Sequence, residues 1–205
     1  MEPIFTWLSN HWIENLAVIT GLIYIILSVK QRIGCWPFGI ISSVLYLYVF
    51  FGAKIYADMF LQLYYVLMGI YGWIHWARID IALSDKKELP VSKLNLRQGI
   101  GLLMLTLLLW LGIAQLLIHY TDSPVPWIDA FTTAFSFMAT YMLARKILEH
   151  WIIWVVVDSI SVVLYFYREL YSSIVLFLIY TVLAVLGYKE WKKEWTKENS
   201  GILTL

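Results

Sequence analysis

The sequence predicts an all-α integral membrane protein, in which seven transmembrane helices form two parallel three-helix repeats joined by a linker helix. Three observations predict this fold class. Mean hydropathy is +0.73 and 61% of the residues are hydrophobic, well above the composition of soluble domains. Seven apolar runs approach the ~20 residues that a helix needs to cross a bilayer. The first and last parts of the chain also resemble each other, which indicates an internal repeat.

The apolar runs are the predicted helices, and they cover residues 13–29, 36–53, 56–78, 98–119, 127–144, 151–167 and 171–188. They are too long for strands and lack the period-two alternation of a membrane barrel. The polar residues 79–97 predict a solvated linker between the third and fourth helices. Lysines alternate with acids over 189–197, which is typical of a helix that emerges into solvent or lies against anionic lipid.

The basic residues predict the orientation of the helices in the membrane. With seven crossings, one side of the membrane holds only Lys54 and Arg168, and the other side holds the remaining thirteen Lys and Arg. Cytoplasmic loops carry the excess of positive charge. We therefore expect the N-terminus outside and the C-terminus in the cytoplasm.

The internal repeat has a fixed register of 115 residues, which places 12–76 over 127–191 with ten identities in sixty-five positions. The matched pairs include Trp12 and Trp127, Trp36 and Trp151, Tyr65 and Tyr180, Gly72 and Gly187, and Trp76 and Trp191. Repeat 1 is then 12–78, the linker helix is 98–119, and repeat 2 is 127–191. Because a single linker helix restores the direction of the chain, the repeats are parallel. Transporters with this plan bind their substrate between the repeats, near the midplane of the membrane.

The sixth predicted helix carries the strongest candidate site. At spacings of three and four, its aromatic and polar residues share one stripe, consisting of Trp151, Trp154, Asp158, Ser161 and Tyr165. Asp158 lies about midway along the helix, where a carboxylate costs at least ~2.5 kcal/mol by insertion scales and normally marks a site or a pathway. The alternative is that Asp158 only hydrogen-bonds a neighbouring helix.

Three polar residues of the first repeat are further candidates for substrate binding. Ser43 aligns with Asp158 in the repeat register, so that the two polar positions are expected at one depth. Gln62 and Tyr65 lie on one face of the third helix. The Gln62 amide fits either a substrate contact or a hydrogen bond between helices. Asp58, near the outer end of that helix, is expected to be an N-terminal cap or an interfacial acid.

Glycines and tryptophans at the helix ends have simpler interpretations. Gly69 and Gly72 are expected to allow close packing of helices. Four tryptophans at the expected membrane boundaries are typical of an aromatic belt; they are Trp12, Trp76, Trp127 and Trp191.

Motifs for catalysis, metal binding or phosphate binding are missing from the sequence. The single cysteine, Cys35, and four widely separated histidines offer no metal-ligand spacing. No phosphate-binding glycine loop, GxSxG or HExxH motif is present. We therefore expect neither an enzyme nor an ATP-driven pump, and neither a metal nor a cofactor. A net charge of +1 argues against nucleic acid as a partner.

Several of these motifs together resemble the PnuC-type vitamin transporters over essentially all seven helices. They are Trp36-Pro-Phe-Gly, Ile55-Tyr-Ala-Asp58 with Gln62 and Tyr65, Tyr71-Gly-Trp-Ile-His-Trp76, and Trp151-Ile-Ile-Trp-Val-Val-Val-Asp158 with Glu169-Leu-Tyr171. The resemblance implies a three-plus-one-plus-three fold like that of the sugar-transporting SWEET proteins. It also implies uptake of nicotinamide riboside by facilitated diffusion, a homotrimer in the bacterial inner membrane, and a cytoplasmic kinase that traps the product. Related members carry thiamine or other riboside-like vitamins.

In nicotinamide riboside transporters of this family, a WxxWxxxN pattern contributes to the binding site, and the matching positions here are Trp151, Trp154 and Asp158. Asp stands where Asn is common. Nicotinamide riboside and thiamine both carry a cationic ring, which aromatic faces bind by cation–π attraction of ~0.5–2 kcal/mol each. We expect nicotinamide riboside as the substrate, with alternating access by rocking of the repeats. Thiamine is the alternative substrate, and a receptor or scaffold that transports nothing is the competing class.

Overall fold

The protein is a bundle of α-helices in the computed structural model, which describes residues 12–52, 56–82, 89–167 and 171–202. The helices are α1 Trp12–Val29, α2 Cys35–Gly52, α3 Tyr56–Ala82, α4 Leu96–Tyr120, α5 Pro126–Ala144, α6 His150–Tyr167 and α7 Tyr171–Ile202. The described residues contain no strand, only an isolated bridge between Ser92 and Ile147. The prediction of seven helices is therefore confirmed for the described chain.

Five of these helices are long and apolar enough to cross a membrane, so the protein is a multi-pass membrane protein. They are α1, α2, α4, α6 and the stretch Ile174–Ser200 of α7. The sequence also predicts spans at α3 and α5, which fall short of this standard. Hydroxyl side chains and Asp129 lower the hydropathy of α5, and Gln62, His75 and several Tyr and Trp residues lower that of α3. The basic end of α7 is helical, as predicted.

The chain divides into two compact units, Met1–Lys86 and Lys87–Leu205. In the first unit, α2 packs against both α1 and α3. In the second unit, α6 packs against both α5 and α7, and α4 packs against α5. The middle helix of each triplet therefore packs against both of the other two helices.

The turn that follows the first helix of each triplet has the same local structure. Gln31 and Lys146 both adopt a left-handed backbone, with φ of 55° and 51°. The amide of Arg32 donates to the carbonyl of Leu27, and the amide of Ile147 makes the same bond five residues back, each at 2.9 Å. This pattern is the Schellman motif, which satisfies carbonyls at a helix end. The two left-handed residues are related by the repeat register.

In the first unit, α2 and α3 approach closely at Trp36. A Cβ atom added to Gly72 would lie 2.4 Å from the Trp36 ring, so only glycine leaves room for the indole. Trp76 meets the same ring edge-on, with centroids 5.2 Å apart and an interplanar angle of 84°. Gly69 packs against Ile40 in the same way, and the prediction that Gly69 and Gly72 allow close packing is confirmed.

In the second unit, α6 and α7 repeat this contact. A Cβ atom added to Gly187 would lie 2.6 Å from the Trp151 ring. Trp191 meets that ring edge-on, with centroids 5.7 Å apart and an angle of 85°. Edge-on aromatic pairs of this kind are favoured by the ring quadrupole.

This packing corrects the aromatic-belt prediction for two of its four tryptophans. Trp12 and Trp127 are exposed, as a belt requires. Trp76 and Trp191 are instead buried, because each fills the space beside the tryptophan at the start of the neighbouring helix. The interfacial preference of tryptophan is a tendency that a specific packing partner overrides.

The predicted solvated linker is also only partly correct. Its residues 83–88 lie outside the described chain, but residues 89–95, which we name the strap, pack against the α5–α6 turn. The amide of Ser92 donates to the carbonyl of Lys146 at 2.9 Å, and the amide of Leu148 donates to the carbonyl of Ser92 at 2.8 Å. Val91 is buried. The linker therefore contributes to the second unit, because its backbone pairs with an otherwise open turn.

Candidate functional site

The predicted stripe lies on α6, the middle helix of the second triplet. Asp158 and Ser161 are 3% and 5% exposed, and Trp151 is equally buried, whereas Trp154 and Tyr165 are half-buried. The outer faces of α6 are apolar and exposed, for example at Val163 and Phe166, which suits contact with lipid. The helix therefore turns its polar stripe inward, as its sequence pattern predicts.

The carboxylate of Asp158 has neither a hydrogen bond nor an ion pair with any residue that the structure describes. A buried charge is normally paired or hydrogen-bonded, because the loss of water costs several kcal/mol. An Asp that served only to join two helices would show its partner. A ligand from outside the chain would supply one.

Two serines share this unsatisfied state. Within helices, a Ser or Thr hydroxyl commonly donates to the carbonyl four residues back. This bond is made by Thr20, Thr106, Thr132, Thr133, Thr140, Ser159 and Thr181. Ser161 of α6 and Ser43 of α2 are both buried, and neither hydroxyl bonds to any described residue. Both remain able to donate to a ligand.

The other candidates of the first unit differ in their surroundings. Ser42, next to Ser43, donates to the carbonyl of Ala17 at 2.8 Å and so joins α2 to α1. Gln62 is half-buried, and its amide has no hydrogen bond within the described residues. Tyr65 is half-buried, with its ring 6.1 Å from that of Tyr64. The side chain of Asp58 lies outside the described residues.

The two tryptophans of the stripe have different environments. Trp151 is enclosed by Gly187, Trp191 and His150, whose ring centroid lies 4.5 Å away, and its indole nitrogen has no described partner. Packing alone therefore accounts for the Trp151 ring, and its direct contact with a ligand stays a prediction. Trp154, one turn deeper, is only half-buried and is the aromatic residue nearest to Asp158 in the stripe.

Tyr165 lies towards the far end of α6. Its ring centroid is 5.0 Å from that of Phe177 of α7, which in turn lies 5.8 Å from Tyr180. In the repeat register Phe177 replaces Gln62. This end of the second unit is therefore aromatic where the first unit offers an amide.

Sequence reasoning missed one buried polar residue, Ser136 of α5, which is 4% exposed. The signal was present as a row of hydroxyl residues on an otherwise apolar helix. The sequence does not show which of these hydroxyls are satisfied by the backbone. Within the part of the chain that the structure describes, no cluster of three or more His, Cys, Asp or Glu residues could hold a metal ion.

Comparisons with known proteins agree with the fold. The family model described as "Nicotinamide mononucleotide transporter" matches residues 11–193. The chain is 26% identical to "Nicotinamide riboside transporter PnuC" of Escherichia coli (strain K12), over 88% of this chain and 84% of that protein. It is 27% identical to the Neisseria mucosa protein of the same name, over 97% and 78%.

A relative with a different named substrate is "Riboflavin/roseoflavin transporter RibM" of Streptomyces davaonensis, 25% identical over 88% of this chain and 84% of that protein. A solved structure, "Crystal structure of the Vitamin B3 transporter PnuC", is similar with a TM-score of 0.75 and 23% identity, over 96% of this chain and 87% of that one. The fold is therefore shared along almost the whole chain. Because the family model covers nearly all of the described helices, the chain belongs to the nicotinamide mononucleotide transporter family.

Proposed function

We propose that this protein takes up nicotinamide riboside by facilitated diffusion with alternating access. The buried and unpartnered carboxylate of Asp158 is the observation that carries the proposal. The nicotinamide ring of the riboside bears a permanent positive charge, which offsets the cost of burying the carboxylate. Trp154, one turn away, offers a face for the same ring, with cation–π attraction of roughly 0.5–2 kcal/mol.

The same carboxylate favours the riboside over the mononucleotide for which the family model is described. A phosphate group adds about −1.5 to −2 charges at neutral pH. A second negative group near Asp158 would be repelled in a site of low polarity. The PnuC relatives of Escherichia coli and Neisseria mucosa are both named for the riboside, in agreement with this argument.

The properties of Asp158 also bear on the alternative substrates and functions. Thiamine, a second cationic vitamin, is the second candidate, because an ionisable carboxyl group stands where the family commonly has a neutral Asn. The flavin named for the Streptomyces relative is uncharged, and a neutral ring would leave the carboxylate unpaired. In a receptor or scaffold, Asp158 would serve to join helices, but its carboxylate has no hydrogen bond or ion pair with any described residue.

Ser161, Ser43 and Gln62 are the proposed hydrogen-bonding ligands for the hydroxyl and amide groups of the substrate, because their polar groups are free of described partners. Trp151, Tyr65 and Tyr165 remain proposed aromatic contacts.

The two units are proposed to be parallel repeats, 12–78 and 127–191, with 98–119 as the linker helix and seven membrane crossings. The matched Schellman turns and the matched Trp–Gly–Trp contacts support this arrangement. We further propose an N-terminus outside the bacterial inner membrane, a cytoplasmic C-terminus, a homotrimer, and a cytoplasmic kinase that traps the product. A negative-inside potential supplies ~2.3 kcal/mol per charge per 100 mV for a cationic substrate, so no coupled ion is needed.

A binding titration on purified protein tests the proposal. Tryptophan fluorescence is followed while nicotinamide riboside, and separately thiamine, is added to wild type and to Asp158→Asn. We expect saturable quenching by the riboside and weaker binding in Asp158→Asn, with Ser159→Ala as a control because the Ser159 hydroxyl is exposed and bonded to its own helix. Quenching by thiamine and not by the riboside would identify thiamine as the substrate. Silence with both vitamins from folded protein would refute a vitamin site.

A further inference from the structure

Ser136 of α5 is a buried polar residue whose hydroxyl makes no hydrogen bond with the described residues. The residue is 4% exposed. Three other hydroxyls of α5 donate within the helix, namely those of Thr132, Thr133 and Thr140. Thr140 donates to the backbone carbonyl of Ser136 at 2.8 Å, so the serine supports a neighbour while its own side chain stays unsatisfied.

Ser136 lies at the same depth as Asp158. Helices α5 and α6 form an antiparallel hairpin and pack against each other. Ser136 lies eight residues before Ala144, the last residue of α5, and Asp158 lies eight residues after His150, the first residue of α6. Each is therefore about 12 Å along its helix from the turn, at 1.5 Å per residue.

Hydroxyls of buried residues normally have hydrogen-bond partners. The Ser136 hydroxyl has none among the described residues, so it is able to bond a ligand. A hydroxyl both donates and accepts, which fits a neutral polar group better than a charged ring. In the repeat register the first unit has Gly21 at this position, so only the second unit offers the group.

We infer that Ser136 is a specificity-determining residue of the substrate site, where its hydroxyl hydrogen-bonds a neutral hydroxyl-bearing part of the ligand while Asp158 faces the cationic ring. The inference rests on the proposed function. It separates recognition of the ring from recognition of the sugar and assigns each to one helix of the α5–α6 hairpin.

Two cationic ligands test this division, nicotinamide riboside and 1-methylnicotinamide, which has the same charged ring without the sugar. Calorimetry gives the affinity of each for wild type and Ser136→Ala. The loss of one neutral hydrogen bond should weaken riboside binding to Ser136→Ala by roughly 2- to 12-fold. Affinity for 1-methylnicotinamide should be unchanged, so that the ratio of riboside affinity to 1-methylnicotinamide affinity falls.

Thr140→Val is the matched control, because it removes a hydroxyl of equal burial on the same helix that is already bonded to the backbone. It should leave the affinity ratio at the wild-type value. Unchanged riboside affinity in Ser136→Ala, or equal weakening of both ligands, would overturn the inference while the proposed function stands. A wild-type protein that binds neither ligand would remove the proposed function and this inference together.

A chemical probe covers the case in which Ser136→Ala does not fold. Ser136→Cys is treated with a hydrophilic methanethiosulfonate reagent, with wild type as the background because Cys35 is buried. Saturating riboside should slow the modification of the introduced thiol several-fold. Modification at the same rate with and without riboside, in protein that binds riboside, would show that Ser136 lies outside the site.

Discussion

The substitution Gly187→Ala should destabilise the protein through one contact. The added Cβ would lie 2.6 to 2.7 Å from three atoms of the Trp151 ring, which is closer than van der Waals contact allows. The ring cannot yield easily, because it is buried and flanked by Trp191 and His150. Overpacking of this kind costs about 1–3 kcal/mol.

Alanine also gains roughly 0.8–1.0 kcal/mol over glycine in helix propensity, which partly masks this cost. Gly112→Ala is the matched control, because no atom lies within 4 Å of its added Cβ and it gains the same propensity. The difference between the two variants isolates the overpacking. At 2–4 °C per kcal/mol, Gly187→Ala should melt about 2–12 °C below Gly112→Ala.

Thermal unfolding in detergent, followed by the fraction that stays monodisperse on size exclusion, measures this difference. Replacing Trp151 by Leu should remove the penalty of Gly187→Ala, because the two residues are in direct contact and their effects are not additive. Equal melting of Gly187→Ala and Gly112→Ala would refute the close approach of α6 and α7 at this point.

Three further predictions concern single contacts and the cargo. Ser42→Ala should cost about 0.5–1.5 kcal/mol of stability, since it removes a buried bond to Ala17, whereas Ser43→Ala should leave the melting temperature unchanged and weaken substrate binding instead. Lys93→Ala should increase the rate of amide hydrogen exchange in the strap, because it removes a cation–π contact in which Lys93 Nζ lies 3.5 Å from the centroid of the Trp195 ring. An unchanged exchange rate would show that this contact does not stabilise the strap. In proteoliposomes, an inside-negative membrane potential should increase riboside uptake, and an inside-positive potential should decrease it. The reason is that the potential contributes about 2.3 kcal/mol per 100 mV to the transport of one positive charge.

The seven helices could be predicted because membrane-length apolar runs leave no alternative to a helix in lipid. The register of 115 residues could also be found, because large residues and glycines at helix ends repeat in it. Trp36 with Gly72, and Trp151 with Gly187, are such pairs, and the structure shows both in contact. Sequence reasoning works here because each glycine has a single bulky partner.

Side-chain partners could not be predicted. Trp76 and Trp191 have the composition of an aromatic belt, and only the packing of neighbouring helices shows that they are buried. Ser136 and Thr140 are both buried residues of α5 with a hydroxyl group. The Thr140 hydroxyl donates to a backbone carbonyl, whereas the Ser136 hydroxyl has no described partner. The rotamer that decides this depends on neighbours distant in sequence.

The strap fixes where the gene could be divided into two co-expressed polypeptides. The unit boundary falls between residues 86 and 87, but the hydrogen bonds of Ser92 and the bond from the Leu94 amide to Glu149 all belong to the second unit. A second polypeptide that starts at α4 would expose the backbone of the α5–α6 turn. A second polypeptide that starts before Val91 would include the strap, which hydrogen-bonds to that turn. Complementation of two halves would then depend on seven residues that hydropathy alone would assign to a dispensable loop.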